Sequence, residues 1–387
     1  MRLEVTDPFE LDGASRTQWD ALHETQPPPA NPFCAPEWVI TWYRHFVQRA
    51  EDRMLVLVRT DEGRLVGVAP YFLHRHRLGR LPLQSRLRLV GSGQGSSLLE
   101  MPQVLTAPGE ERRVLAALVE GFRLDPVLSV ATDWFDLAIA QGQGWPEPQW
   151  FTGKEAGGAF WRHSDAQACV VLPLQGSWQE TQAALKRNVK ESLRRSRNRL
   201  AKQELPYRVV ARSTDLDMAT VDRFLTLHRA RADQRATGSA VHPDAFADPL
   251  RRGFMRELLP QLGAAGRATM WELWLSERQV AVQLVLHSCG TVYVHSSGVE
   301  EDVWELGPVT HLQEHAFRAG CERGDTWVNF SPGPNLAKLR WSEQLLRHDE
   351  FAIGFGGRRT LLRHAAFAAG QVLQTLRHHA ALAARKD

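Results

Sequence analysis

Residues 270–341 constrain the fold of this chain more than any other stretch. Three runs of strand-forming residues, Met270–Leu275, Gln279–His287 and Thr291–Gly298, follow one another closely and predict two adjacent hairpins. A helix then opens at Gly307-Pro308, where proline suits the first turn because its missing N–H has no intrahelical partner anyway. Thr326–Phe330 reads as a short strand, and Lys338-Leu339-Arg340-Trp341 closes the stretch. Hairpins, a helix and a further strand in that order predict a mixed α/β unit.

At 387 residues the chain is long enough for two domains with separate cores. Apolar residues at 43% and charged residues at 24% are ordinary globular values, which excludes wholesale disorder. The longest apolar runs are strand-sized and interrupted, well short of the roughly 18–20 residues a bilayer span needs. Met1-Arg2-Leu3-Glu4 is followed by Asp7 and Glu10 with no apolar core, so no secretory signal is read and a cytoplasmic chain is expected. Cys34, Cys169, Cys289 and Cys321 lie far apart, which predicts reduced thiols and neither a zinc site nor a disulfide framework. A net charge of +3 does not argue for nucleic acid. Among 47 lysines and arginines only a few are lysine; Lys186, Lys190 and Lys202 fall in one predicted helix and Lys338 in the stretch above.

Upstream, Pro27-Pro28-Pro29-Ala30-Asn31-Pro32 is a stiff connector, and a helix is expected over 36–46. Asp61-Glu62-Gly63 between Met54–Val58 and Leu65–Phe72 predicts a hairpin. Gly91–Ser97 reads as a loop, 110–122 as a helix and Trp134–Ala140 as a strand. After a further strand, Cys169–Leu174, one long helix is expected over 177–203. Leu185, Val189, Leu193 and Leu200 share its apolar face, and Lys and Arg cover most of the rest. Helices at about 218–235 and 245–262 follow, and 358–385 reads as a final helix rich in Ala, Leu, Arg and His. Glu62-Gly63-Arg64-Leu65-Val66-Gly67-Val68 weakly parallels Glu277-Arg278-Gln279-Val280-Ala281-Val282, which fits two copies of one unit.

Several stretches carry a family resemblance. They are Pro32-Phe33-Cys34-Ala35-Pro36-Glu37-Trp38, Gly67-Val68-Ala69-Pro70-Tyr71, the Lys/Arg helix, Leu225-Thr226-Leu227-His228-Arg229, Gly307-Pro308, Asn329-Phe330-Ser331-Pro332-Gly333 and Lys338–Trp341. On these the chain resembles the FemAB-like branch of the GNAT acyltransferases, and within it the CelD/BcsL type associated with cellulose and exopolysaccharide biosynthesis. The resemblance runs from about residue 31 to 354. It implies an α/β fold of tandem GNAT-like domains joined by the basic helix: a lead-in at 1–30, a first domain at 31–175, the helix at 176–205, a donor-binding domain at 206–356 and a C-terminal helix at 357–387.

Moving an acyl group from a thioester or ester to an amine or hydroxyl requires a grip on the donor, a route for the attacking proton and a stabilised oxyanion. The resemblance puts the donor, acetyl-CoA or another acyl-CoA, against Ser297 and Gly298 at a splayed strand and against Gly307 and Pro308 at a helix start, where N–H groups and the dipole favour anions. The usual glycine-rich signature is reduced here to Gly307, Pro308 removes one N–H, and Glu300, Glu301, Asp302 and Glu305 would repel a pyrophosphate.

The resemblance implies Lys338 as a catalytic residue, for an oxyanion or phosphate, and His228, for positioning or proton transfer; position adds His295, on the strand end, as a base, and Glu305, before the helix, to orient or deprotonate an acceptor amine. Arg231, Trp304, Asn329 and Arg340 are the expected substrate contacts. No serine or cysteine is read as a nucleophile, so direct attack without a metal is expected. The favoured acceptor is a small molecule or saccharide in envelope or exopolysaccharide synthesis, with peripheral contact to a membrane or to the synthesis machinery. Two alternatives stay open: an aminoacyl-tRNA-dependent ligase, with tRNA along the basic helix, and a GNAT-shaped binding protein that has lost catalysis.

Overall fold

The computed structural model describes residues 1–78, 81–92, 98, 100–124, 134–140, 160–163, 167–233, 244–354, 365 and 369. In chain order the first part comprises β1 (Arg2–Thr6), α1 (Gly13–His23), α2 (Pro36–Phe46), β2 (Arg53–Arg59), β3 (Leu65–Leu78), β4 (Leu81–Leu89), β5 (Leu105–Thr106), α3 (Glu111–Leu124), β6 (Trp134–Ala140), β7 (Phe160–His163) and β8 (Gln167–Pro173). Then come α4 (Trp178–Ala184), α5 (Arg187–Ala201), β9 (Tyr207–Arg212), α6 (Met218–Asp233), α7 (Pro249–Ala264), β10 (Ala268–Leu275), β11 (Arg278–Ser288), β12 (Thr291–Val299), α8 (Pro308–Arg323), β13 (Trp327–Pro332), α9 (Leu336–Leu339) and β14 (Leu345–Gly354). The predicted C-terminal helix lies outside the described residues apart from Ala365 and Ala369, both helical.

The strands form one sheet in the order β1-β2-β3-β4-β6-β14-β8-β13-β12-β11-β10-β9. Each half repeats one plan, a run of antiparallel strands ending on a parallel neighbour: β4 beside β6, and β12 beside β13. In the middle the halves exchange strands. β8, from the end of the first half, pairs with β13, and β14, from the end of the second, pairs with β6. Residues 1–30, read as a lead-in, put β1 on the edge of the sheet against β2.

The halves also share a core. Phe33 and Tyr293 meet edge to face at 5.0 Å, as do Trp38 and Phe254 at 5.4 Å. Arg267, just before β10, is 2.9 Å from Asp20, 2.6 Å from Glu24 and 2.6 Å from Glu37, all on the N-terminal helices. Those acids raise its pKa, while the hydrogen bond with His23, and after it the one from Arg267, holds Glu24 down at about 2.

One expected element is broken. The single helix read over 177–203 is two, because Leu185 and Lys186 are extended (ψ 150° and 147°). Leu185 is buried there, and Lys186 Nζ donates to Leu339 O at 3.1 Å and to Glu343 at 2.6 Å. Tertiary contacts override helix propensity at this point. No helix among the described residues is long and apolar enough to cross a membrane.

Candidate active site

The chemistry gathers where two strands part. β12 and β13 pair in parallel only over Thr291↔Trp327, Val292↔Val328 and Tyr293↔Asn329. Beyond Tyr293 they diverge, and a cavity of about 710 Å³ opens between them. That is the size of a small-molecule site. Its walls come from the end of β12, the turn after β13, the first turn of α8, the two helices α5 and α6, and α9.

The ladder between β12 and β11 is interrupted where the cavity opens. Leu284 pairs with Ser296 and Val285 with Val294, so His295 is the extra residue of a β-bulge. The bulge sits where the strands part, and Val294, His295, Ser296 and Ser297 all line the cavity there. His295 is packed near Phe33 and Trp38, its Nδ1 lies 2.9 Å from Ser296 Oγ, and burial pushes its pKa down to about 4. A group that resists protonation this strongly is a weak base at neutral pH.

α6 grips the end of β12 through two side chains one turn apart. His228 Nδ1 is 3.0 Å from Ser297 O; a carbonyl only accepts, so Nδ1 carries the hydrogen. Its Nε2 is 3.9 Å from Asp244, and burial lowers its pKa. Arg231 donates to Ser297 Oγ and lies 5.9 Å from the ring of Trp304, a rim residue 47% exposed. Burial lowers the Arg231 pKa, and no carboxylate among the described residues forms an ion pair with it.

Opposite them lies the start of α8. Gly307 is left-handed (φ 69°, ψ 42°), which suits glycine, and Ser196 Oγ donates to its carbonyl at 2.9 Å. Pro308 occupies the first helical position, so the first-turn N–H groups of Val309 and Thr310 have no carbonyl one turn back to bond. Arg340 joins them, with Nη2 2.9 Å from Thr310 Oγ1 and Nη1 3.5 Å from Ser192 Oγ. Its guanidinium has no acidic partner among the described residues, and burial lowers its pKa.

Of the four acids expected to repel an anion, only Glu305 lines the cavity. It is exposed at the mouth, 3.7 Å from Arg199. Asp302 is turned to Arg278 at 2.6 Å. The lining is therefore cationic.

Two expected contacts sit elsewhere. Gly298 lies behind the cavity wall; a Cβ there would come within 2.5 Å of both His228 N and Leu227 C, so this glycine lets α6 pack on β12. Asn329 is fully buried below the cleft, where its Oδ1 accepts from Ser331 N–H at 2.9 Å. It supports a turn and does not face an acceptor.

Lys338 lines the cavity, and its Nζ is 3.1 Å from Ser331 O, 3.2 Å from Ser331 Oγ and 2.7 Å from Pro332 O. Burial lowers its pKa to about 8. Ser331 itself, with φ 65°, was not among the expected site residues, nor were Thr310, Ser192, Gln283 and Gln313, which also line the space. Ser331-Pro332-Gly333 reads as a turn; a left-handed serine inside it has no sequence signature.

Residues 187–339 match the model of the acetyltransferase (GNAT) domain. No curated protein matches the sequence. Among solved structures, FemX is similar at a TM-score of 0.61 and 11% identity, over 90% of this chain and 97% of that one. A conserved protein of unknown function from Bacteroides thetaiotaomicron VPI-5482 is similar at 0.55 and 13%, over 92% and 100%. A tandem GNAT protein from the clavulanic acid biosynthesis pathway gives 0.46 and 15%, over 92% and 99%. At these identities the likeness to FemX and to the Bacteroides protein concerns the fold alone, a mixed α/β one.

Proposed function

We propose that this chain, a transferase with a GNAT domain at residues 187–339, moves an acyl group from an acyl-CoA, acetyl-CoA first among them, to an amine or hydroxyl of a saccharide. The setting we infer is envelope or exopolysaccharide synthesis of the CelD/BcsL type, and it rests on the sequence resemblance. One observation carries the donor assignment: Arg340, partly buried and without a carboxylate partner among the described residues, stands beside the first turn of α8. A guanidinium beside the first-turn N–H groups of a helix is suited to a diphosphate, since charge-assisted hydrogen bonds are about twice as strong as neutral ones.

The remaining residues take roles by position. Where β12 parts from β13 beyond Tyr293, its backbone lies along the cavity and offers a track for an extended donor arm. Lys338 and Ser331 flank the parting of the strands, where the reactive carbonyl would lie. Arg231 and Trp304 hold the mouth, with charge and an aromatic face for a polar acceptor. Glu305, exposed at the mouth beside Arg199, is the carboxylate placed to meet an incoming amine there, and His228 fixes the wall.

An aminoacyl-tRNA donor is the second reading. It is favoured by the exposed Arg187, Lys190, Arg194 and Arg195 on α5 and by Lys202 just past its end, although Arg187 is paired with Glu191 at 3.0 Å. Thermal shift separates the readings. Stabilisation by acetyl-CoA or a longer acyl-CoA supports the first, and stabilisation by tRNA alone supports the second. Neither would leave a GNAT-shaped protein without a donor.

A further inference from the structure

The turn after β13 holds an arrangement that direct attack does not use. Ser331 has φ 65°, a left-handed conformation that a non-glycine residue rarely adopts. Asn329 Oδ1 fixes the turn from below, and the result sets Ser331 Oγ 3.2 Å from Lys338 Nζ inside the cavity. The other two neighbours of Nζ, Ser331 O and Pro332 O, are carbonyls and can only accept.

That set of three discriminates between the two forms of the amine. Neutral Nζ has two N–H groups, which the two carbonyls take. Its lone pair is then left for the one neighbour able to donate, the Ser331 hydroxyl. The hydroxyl also lies close to Phe330 O, and rotation about Cβ–Oγ swings its hydrogen to Nζ. No acid among the described residues pairs with Lys338 to hold it charged. The titratable group beside it is the Cys169 thiol, which burial pushes up to about 12 and so keeps neutral. Burial lowers Lys338 itself to about 8, so the neutral amine is accessible near neutral pH.

We propose that Ser331 is a nucleophile with Lys338 as its base, and that transfer in this cavity passes through an acyl-serine ester. The donor reading above supplies the acyl thioester on which this rests. Ser331 Oγ gives its proton to Nζ and bonds to the thioester carbonyl carbon; the C–S bond breaks, and the sulfur leaves as thiol with the proton from the Lys338 ammonium. The acceptor amine or hydroxyl then bonds to the ester carbon, its proton passes to Nζ, and the C–Oγ bond breaks as Oγ regains a proton. Lys338 and Ser331 end as they began. Water in place of the acceptor gives slow hydrolysis of the same ester. A serine–lysine pair of this kind is an established way to activate a hydroxyl.

The test uses the full chain and p-nitrophenyl acetate, an activated ester that needs no nucleotide site, with acetyl-CoA in parallel. The expected result is a burst of one nitrophenolate per chain and one acetyl group on Ser331, found by acid quench and peptide mass mapping. Ser331→Gly, which suits φ 65°, should keep the melting temperature and lose both; Lys338→Met should also lose both. No burst, a burst that survives in Ser331→Gly, or an acetyl group on Lys338 instead would overturn the proposal. The parallel arm keeps the two readings apart. Labelling of Ser331 by the ester with no stabilisation by acetyl-CoA would sink the donor assignment and leave the pair standing. Acetyl-CoA binding and turnover with Ser331 labelled by neither reagent would do the reverse.

Discussion

Replacing His348 by leucine should make this protein more resistant to acid, by an amount the structure sets. His348 lies in β14, paired with Ala140 of β6 and Gln167 of β8 at the exchange between the halves. It is 3% exposed, and neither ring nitrogen has a hydrogen-bond partner among the described residues. Burial lowers its pKa from 6.5 to about 4, against a smaller pull upward from Asp349. The folded state therefore keeps this ring neutral until about pH 4, while the unfolded chain takes up the proton near pH 6.5. Between those limits the unfolded state binds more protons, so stability falls as pH falls, and the loss is complete below about 4. At ~1.4 kcal/mol per pH unit, the window amounts to roughly 3 kcal/mol. Glu100 works in the opposite direction, since burial raises its pKa to about 8, so the raw pH curve of one protein mixes both effects. The difference between His348→Leu and the parent removes everything the two share.

The assay is urea unfolding of both proteins at several pH values from about 7.5 to about 4.5. At the upper end the variant should be at least as stable, since leucine replaces a buried ring whose nitrogens lack partners. Its advantage should grow by roughly 2–3 kcal/mol toward the lower end. A stability difference that stays constant across the range would refute the reasoning, because His348 would then titrate alike in both states.

Three further outcomes follow from the geometry. Gly298→Ala should cost roughly 1–3 kcal/mol and weaken ligand binding together, since its Cβ meets backbone of α6 at 2.5 Å and must displace His228 and Arg231; denaturation and thermal shift read both effects. Arg340→Met should leave the melting temperature nearly unchanged while weakening acyl-CoA binding tenfold or more, about the worth of one charged hydrogen bond, as measured by calorimetry. A fragment of residues 187–339 alone should fail to fold by circular dichroism, because β13 would lose its neighbour β8 and the sheet its β14.

Local signals were legible in the sequence. The helix expected over 36–46 runs Pro36–Phe46, with proline preset at its start and Arg44 and His45 in its last turn to suit the dipole. The hairpins around β11 and the helix start at Gly307-Pro308 also stand where period and turn chemistry put them. What the sequence hid depends on partners distant along the chain. The break at Leu185-Lys186 is held by Leu339 and Glu343, and the crossing of β8 and β14 exists only in the sheet. One extra residue at His295 shifts the register of β12 beside the site and leaves no compositional mark. Lys338 and Arg231 were expected from the resemblance and Arg340 as an anion partner, and all three line the cavity. Asn329 and Gly298 were placed in the site by neighbouring motifs, yet they act one layer behind it. Ser331 was passed over because its lysine lies seven residues away across a turn that folds back.

The central claim is that the parting of β12 and β13 receives an activated acyl donor. A crystal structure of the protein soaked with acetyl-CoA tests it most directly. The account predicts the diphosphate against Val309, Thr310 and Arg340, with the acyl end between Ser297 and Ser331. A nucleotide bound elsewhere, with the space beyond Tyr293 holding only water, would contradict it.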